Sequence, residues 1–586
     1  MNTDNYDFDK SSIPQDLDGY TPFIDKQTNS YINDQNSGVY SATQSLISWD
    51  LSSLYNSSRW TNTNDMFLTL PITMVFATSV EGAAPNLPPP TAGWALQTLK
   101  SGYHNLIAQA DIQIDGKTIA ETQPFLGTFT NIKLLSELSQ NDLKSFGSTI
   151  GFSDVLDTAS SAIWNSTVDT TALTNGNGFT NNKVFGTTTQ TAGKPEQNDG
   201  LCNEAINKRA LKVFDTTKLG RSKIVGANGI YADGEKLRNE YKSTYQLSPN
   251  NNPRYGIIYD VAIIRLKDLF DCMNNIGIVK RFNGVLRLYV NTGSLSVKAN
   301  AGTGGGTAVL PNPTYLFNVG DSTFNNVCPF TINDLNLLNV NAGGFDASQT
   351  RISAGLFIAK ALQTNLYGVN LADSGASHPM SAARLYYSSI IMEPDRALTY
   401  SRANQAKNVV FKNYYFNQIN TVGAGQTYSQ LIQSGITNPY ALIVVPYIGS
   451  TNVGMSGYQW QSPFDTCPAT GAPIVLENLQ VQLGGQQVLN SPYNYGFEDF
   501  VTQFSNAEAL TSSDFGVTCG VVSKEWWEMN RIYYINLSRG TKADQITPRN
   551  VVLSFKNATS IPIDLQVFTV YLDRITLNVD TGAVTR

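Results

Sequence analysis

The chain has 586 residues, room for two to four compact units at roughly 150 residues each. Charged residues make up only 15% of it, well below the roughly 25% of an average globular chain, so Asn, Gln, Ser and Thr must build the polar surface. That scarcity, with a net charge of −6, argues against sequence-specific nucleic-acid binding, which needs Lys/Arg patches.

Hydrophobic residues at 41% allow sizeable cores, and aromatics at 11% favour strands over helices. No apolar run approaches the ~18 residues of a membrane span. The opening MNTDNYDFDK lacks the basic and apolar regions of a secretory signal, so none is expected. The five cysteines (Cys202, Cys272, Cys328, Cys467 and Cys519) form no CxxC and read as reduced thiols rather than a zinc site.

Residues 1–40 read as a polar, acidic arm. Seven aspartates stand against Lys10 and Lys26, a net of −5, with apolar points at Tyr6, Phe8, Tyr20, Phe23, Ile24, Tyr31 and Ile32. From Met66 the pattern turns to β. Ile112-Gln-Ile-Asp-Gly-Lys-Thr-Ile119 is a hairpin signal around Asp-Gly. Leu134, Leu135 and Leu138 then suggest a short helix. Strand patterns resume at Tyr255, and Leu266, Leu269, Phe270 and Met273 mark one helical face. Val285–Val290 alternates as a half-buried strand.

The second half repeats this order. Val481-Gln-Leu-Gly-Gly-Gln-Gln-Val488 matches the Ile112 hairpin, and a helix with Phe497, Phe500, Val501 and Phe504 on one face follows it. Val521–Trp527 echoes Ile264–Phe270, and the Tyr-rich strand at Ile532 closes the correspondence. Ile112 and Lys267 stand much farther apart than Val481 and Lys524, which places a loop insertion at about 150–255. The expected organisation is an arm (1–40), a first sandwich (41–300), a connecting segment (301–345) around Gly302–Gly306, and a second sandwich (346–586). The fold class is all-β, two tandem jelly-roll sandwiches with short helices.

Signals for chemistry are weak. His104 and His378 are the two histidines and each reads as a loop residue, which rules out a His-rich metal site. Gly302–Gly306 is followed by no Gly-Lys-Ser/Thr, and no G-x-S-x-G occurs. Tyr386-Tyr387, Tyr414-Tyr415 and Tyr533-Tyr534 fit either stacking platforms or ordinary cross-strand packing. No catalytic, cofactor-binding or metal residue is expected, and no enzyme.

One ordered run of residues resembles a known family. It comprises Arg384-Leu-Tyr, Glu393-Pro394, Asn408–Asn413, Ala441–Pro446 and Ser462-Pro-Phe-Asp-Thr466. It continues through Asn478–Gly485, Tyr495–Phe500, Tyr533–Arg539 and Asp564-Leu. This is similar to the C-terminal jelly roll of major capsid proteins from the virophage and polinton-like (adintovirus-like) viruses, over about 380–580. Leu266–Phe270 and Gly284–Asn291 resemble the close of that family's first roll. The resemblance implies a double jelly-roll capsid protein, localised to the virion, whose homotrimers are pseudo-hexameric and tile an icosahedral shell. Its implied partners are neighbouring capsomers, penton and minor capsid proteins, and no cofactor. The competing class is a virion spike or carbohydrate-binding protein of tandem β-sandwiches. The acidic arm is expected to clamp neighbouring subunits without touching the genome.

Overall fold

The structure is a computed structural model that describes residues 24–80, 97–152, 254–300, 314–332, 350–449, 474–505 and 531–586, apart from short gaps within these stretches, with a few further positions such as 245–247 and 459–461. The expected insertion at 150–255 and the Gly302–Gly306 linker lie almost wholly outside the described residues, as do residues 1–23.

Two sets of eight strands share one plan. The first runs β1 (Ile24–Asn33), β2 (Ser45–Asp50), β3 (Trp60–Val80), β4 (Ile107–Ile114), β5 (Lys117–Glu121), helix α1 (Leu126–Glu137) and β6 (Arg254–Arg265). Short helices α2 (Leu266–Leu269) and α3 (Asp271–Ile276) lead to β7 (Gly284–Val290), then β8 (Gly293–Asn300), β9 (Thr314–Ser322), β10 (Thr350–Ile358) and β11 (Arg384–Met392). Helix α4 (Pro394–Ala403) leads into the second set: β12 (Lys407–Val422), β13 (Thr427–Ile436), β14 (Pro439–Ile448), β15 (Leu476–Leu483) and β16 (Gln486–Gln487). Helix α5 (Phe497–Ser505), β17 (Tyr533–Asn536), β18 (Arg549–Asn557), β19 (Ile563–Leu577) and the short β20 (Val584–Thr585) complete it.

The first set pairs as β1-β11-β3-β6 and β2-β7-β4-β5. The second pairs as β12-β19-β14-β17 and β13-β18-β15-β16. Ranked within its own set, each makes a first-eighth-third-sixth sheet and a second-seventh-fourth-fifth sheet, all antiparallel. That order defines a jelly roll. The molecule is a double jelly roll.

In both rolls the fourth and fifth strands are joined by two residues at positive φ, Asp115 (52°) with Gly116 (72°) and Gly484 (59°) with Gly485 (84°). Such turns match the twist of a tight hairpin and need glycine or a small polar residue. The sequence correspondence between Ile112–Ile119 and Val481–Val488 is therefore topological, and the helix following each hairpin corresponds too. The other half of the expected repeat shifts by one element. Ile264–Phe270 ends the sixth strand of its roll and opens α2, whereas Val521–Trp527 precedes the sixth strand of the second. A strand followed by Lys, acid and two apolar residues recurs wherever a strand turns into a helix, so the pattern alone misaligned them.

Strand pairing also moves the expected boundaries. β10 and β11, assigned from sequence to 346–586, both pair with β3 of the first roll. β11 takes Trp60–Thr69 and β10 takes Ile72–Val80, with the changeover at Pro71, which has no N–H to give. After β7 the chain makes a long excursion through β8–β10 before returning as the eighth strand, so the rolls meet at α4 rather than at 301–345. Residues 24–33 of the expected arm form β1, the roll's own first strand. β1 lies at a sheet edge, and its half-buried face carries Thr28 and Ser30 beside Ile32, so the sequence shows no alternation of apolar and polar residues.

Candidate functional site: the seam between the rolls

The eighth strand of each roll fixes which side chains face outward. In the first roll the row Ile32–Leu385–Leu68–Ile264 points into the core, and the adjacent row Tyr31–Tyr386–Phe67–Arg265 points out. In the second roll the matching outer row across first, eighth, third and sixth strands is Phe416–Phe568–Ile443–Tyr534. Period 2 in a strand makes each row share one face.

Helix α1 of the first roll lies on the outer row of the second. Phe129 stacks on Tyr414 with ring centroids 4.0 Å apart and meets Phe568 at 5.8 Å. Phe125 packs on Phe416 at 4.9 Å and edge-on to Trp460 at 5.6 Å. Phe568 is consequently wholly buried, and so is Tyr534, which Phe504 of its own roll meets edge-on at 5.2 Å. Ten of the twelve residues of α1 are buried because it is covered on both sides, by its own roll and by the next.

Charged groups seal the same seam. Lys133 on α1 donates to the Lys267 carbonyl at 2.9 Å and lies 3.7 Å from Asp271 of α3. Asp271 accepts the backbone N–H of Lys412 on β12 at 2.8 Å. Lys407 of β12 donates to the Ile276 carbonyl at 3.0 Å, and Asn275 donates to the Val410 carbonyl at 2.8 Å. Burial alone would depress the Lys133 ammonium, but Glu137, Asp271 and Asp268 outweigh it and hold it above the ordinary lysine value. Burial lowers Lys412, which the carboxylates of Asp271 and Glu137 only partly offset. The ends of the second roll return to the first. Val584 donates its N–H to Asp115 at 3.2 Å, its carbonyl accepts from Lys117, and Arg586 reaches the Thr118 carbonyl at 3.4 Å.

His104 is buried and hydrogen-bonded to Asn131 Oδ1 at 2.5 Å; burial pushes it down to about 4, so it is a neutral packing group. His378 lies in a loop, where its Nδ1 accepts the Met380 N–H at 2.9 Å and its ring meets Tyr259 edge-on. Cys272 and Cys328 are buried thiols that burial pushes up, Cys328 to about 11. Among the described residues no cluster of His, Cys, Asp and Glu is placed to hold a metal. The three tyrosine pairs divide by strand parity. Tyr386 lies in the outer row, Tyr387 packs toward the core, Tyr414 lies in the seam, and Tyr415 stacks on Tyr571 at 4.7 Å. Tyr533 and Tyr534 are both fully buried. What the sequence reading missed is α1 as the seam element: half of its residues are polar, and Thr128, Thr130, Asn131 and Lys133 are buried although nothing in their pattern announces it.

No protein-family model matches the chain, and no curated protein sequence matches it. Among solved structures the chain is similar to a chain of the Sputnik virophage structure, at 9% identity and TM-score 0.49, over 98% of this chain and 90% of that one. It is similar to the mavirus major capsid protein at 9% identity and TM-score 0.38, over 97% of this chain and 92% of the other. It is also similar to the Faustovirus major capsid protein at 11% identity and TM-score 0.39, over 97% and 93%.

Proposed function

We propose that this chain is the major capsid protein of an icosahedral virion, a structural subunit and not an enzyme, working as a homotrimer. The observation that carries the reading is the head-to-tail seam between two rolls of identical strand order. The first roll offers its post-hairpin helix and the second offers its outer row, so the contact is heterologous. Heterologous contacts that repeat by rotation close into rings, and three chains supply six rolls, a pseudo-hexagonal block suited to tiling a shell. The motif run from Arg384 to Asp564 supports the same assignment by resemblance. The near-neutral, amide-rich surface lets identical blocks pack without like-charge repulsion. On this reading the partners are neighbouring capsomers, penton and minor capsid proteins, and the chain resides in the virion.

Analytical ultracentrifugation at low micromolar concentration tests the block, and negative-stain microscopy of the protein with its virion partners tests the shell. The expected result is a stable species of three chains that joins particles. A compact monomer that joins none would overturn the proposal.

A further inference from the structure

We infer that β13 is a docking edge for a second copy of this chain, whose own β13 pairs with it antiparallel across a two-fold axis and so joins one block of three chains to the next. This rests on the capsid reading above and concerns the contact between blocks, which the seam does not supply.

The corresponding strand of the first roll is a closed edge. β2 pairs with β7 on one side. On the other, Gln35 gives its N–H to the Ser48 carbonyl at 2.8 Å, and the Asn36 side chain donates to the Leu46 carbonyl at 2.7 Å. The link from β1 to β2, residues 34–44, has the length to turn back in this way, whereas β12 and β13 are joined by residues 423–426 alone. β13 pairs with β18 on one side, and on the other its backbone meets no partner among the described residues. Thr427, Ser429, Gln430 and Leu431 are exposed, Leu431 at 54%. Sheets blunt such edges with charges, proline or bulges. All ten residues of β13 are uncharged and none is proline. Its two bulges fall after Leu431, so 427–431 is left as a regular, open run.

The strand itself identifies the occupant. Register with β18 puts Thr427, Ser429 and Leu431 on the outer face, opposite Lys556, Ser554 and Val552. Tyr428 and Gln430 take the inner face, where Tyr428 stacks on Phe555 at 5.2 Å. Paired antiparallel about Ser429, two copies set Thr427 against Leu431 and Tyr428 against Gln430. Every residue then meets one from its own face, as a continuous sheet requires. No charge opposes its like, and the exposed Leu431 covers the Thr427 methyl. A two-fold contact is also closed: it uses both edges and leaves none to propagate.

Single cysteines and a charge swap test this on the full-length chain, in particles assembled with the virion partners. A short bis-maleimide should link Ser429→Cys into pairs of chains above the background of the unmodified protein. Ser434→Cys, exposed beyond the first bulge, should not link. Ser429→Asp sets two carboxylates against each other, and should leave trimers intact by sedimentation while cutting particle yield about tenfold or more. Ser429→Lys should do the same, and mixing the two variants should restore assembly, which a merely structural role would not do. Particles formed by Ser429→Asp alone as readily as by the unmodified chain would overturn the β13 joint while leaving the capsid reading intact. So would a Ser429→Cys chain that links only to a different protein. Unmodified protein that forms neither trimers nor particles would overturn both.

Discussion

Phe129 of the first roll lies face to face with Tyr414 of the second, their ring centroids 4.0 Å apart and their planes 22° from parallel. A residue on a helix of one sandwich thus completes the outer face of the other. The consequence is energetic coupling, since neither surface is covered in an isolated roll.

Phe129→Ala should therefore act on the coupling more than on either core. Truncating a fully buried Phe costs about 3–5 kcal/mol, and Phe129 is half-buried, so about 2–3 kcal/mol is expected. Calorimetry should show one cooperative transition in the unmodified chain separating toward two in the variant. A single transition merely shifted down would mean that the seam does not couple the rolls.

The tandem fold was largely legible because its devices are local. The Asp115-Gly116 and Gly484-Gly485 turns and the apolar face of Phe497, Phe500 and Phe504 each declare themselves within about ten residues. Long-range pairing was not legible. β11 returns to β3 across more than half the chain, and nothing in Arg384–Met392 says which roll owns it. β1 hid because an edge strand whose half-buried face carries Thr28 and Ser30 looks like a polar tail. The seam stayed invisible for a related reason. Lys133 and Asp271 meet only once both α1 and α3 are packed.

Acid should weaken the protein through His104. Its folded-state value of about 4 lies below the 6.5 of an ordinary histidine, because burial disfavours the imidazolium. The unfolded chain therefore binds the extra proton first, and stability falls as pH drops from 6.5 toward 4. The loss attributable to this group is about 2 kcal/mol at pH 5 and about 3 kcal/mol in full. Denaturant midpoints measured at pH 7 and pH 5 should differ by less in His104→Gln, which retains an amide for Asn131. An unchanged difference would exclude His104 as the source.

Lys133→Met should be costly despite preserving the aliphatic stem. The side chains of Lys133 and Asp271 are 11% and 16% exposed, so the substitution leaves the carboxylate buried beside one partner fewer. Removing one member of a buried pair costs about 3–5 kcal/mol, and the remaining Lys412 N–H bond places this case near the lower end. Double substitution with Asp271→Asn should recover part of the loss. A double variant no more stable than Lys133→Met alone would show that the two charges are not coupled.

Residues 578–586 fasten the second roll to the hairpin of the first, and the fastening has a measurable worth. Val584 is 1% exposed and joins the first roll's core, although it follows the last long strand of the second. Burying such a side chain contributes about 1.5–3 kcal/mol. The hydrogen bonds of Val584 with Asp115 and Lys117 add about 1 kcal/mol each at most. Deleting residues 582–586 should therefore lower stability by about 3 kcal/mol without disturbing either strand order. Hydrogen exchange locates the effect: amides of Lys117–Glu121, together with the end of β19, should lose protection while Leu476–Leu483 keeps it. If protection fell evenly across β15 and β4 alike, the segment would be a global determinant of the fold and not a clasp between two rolls.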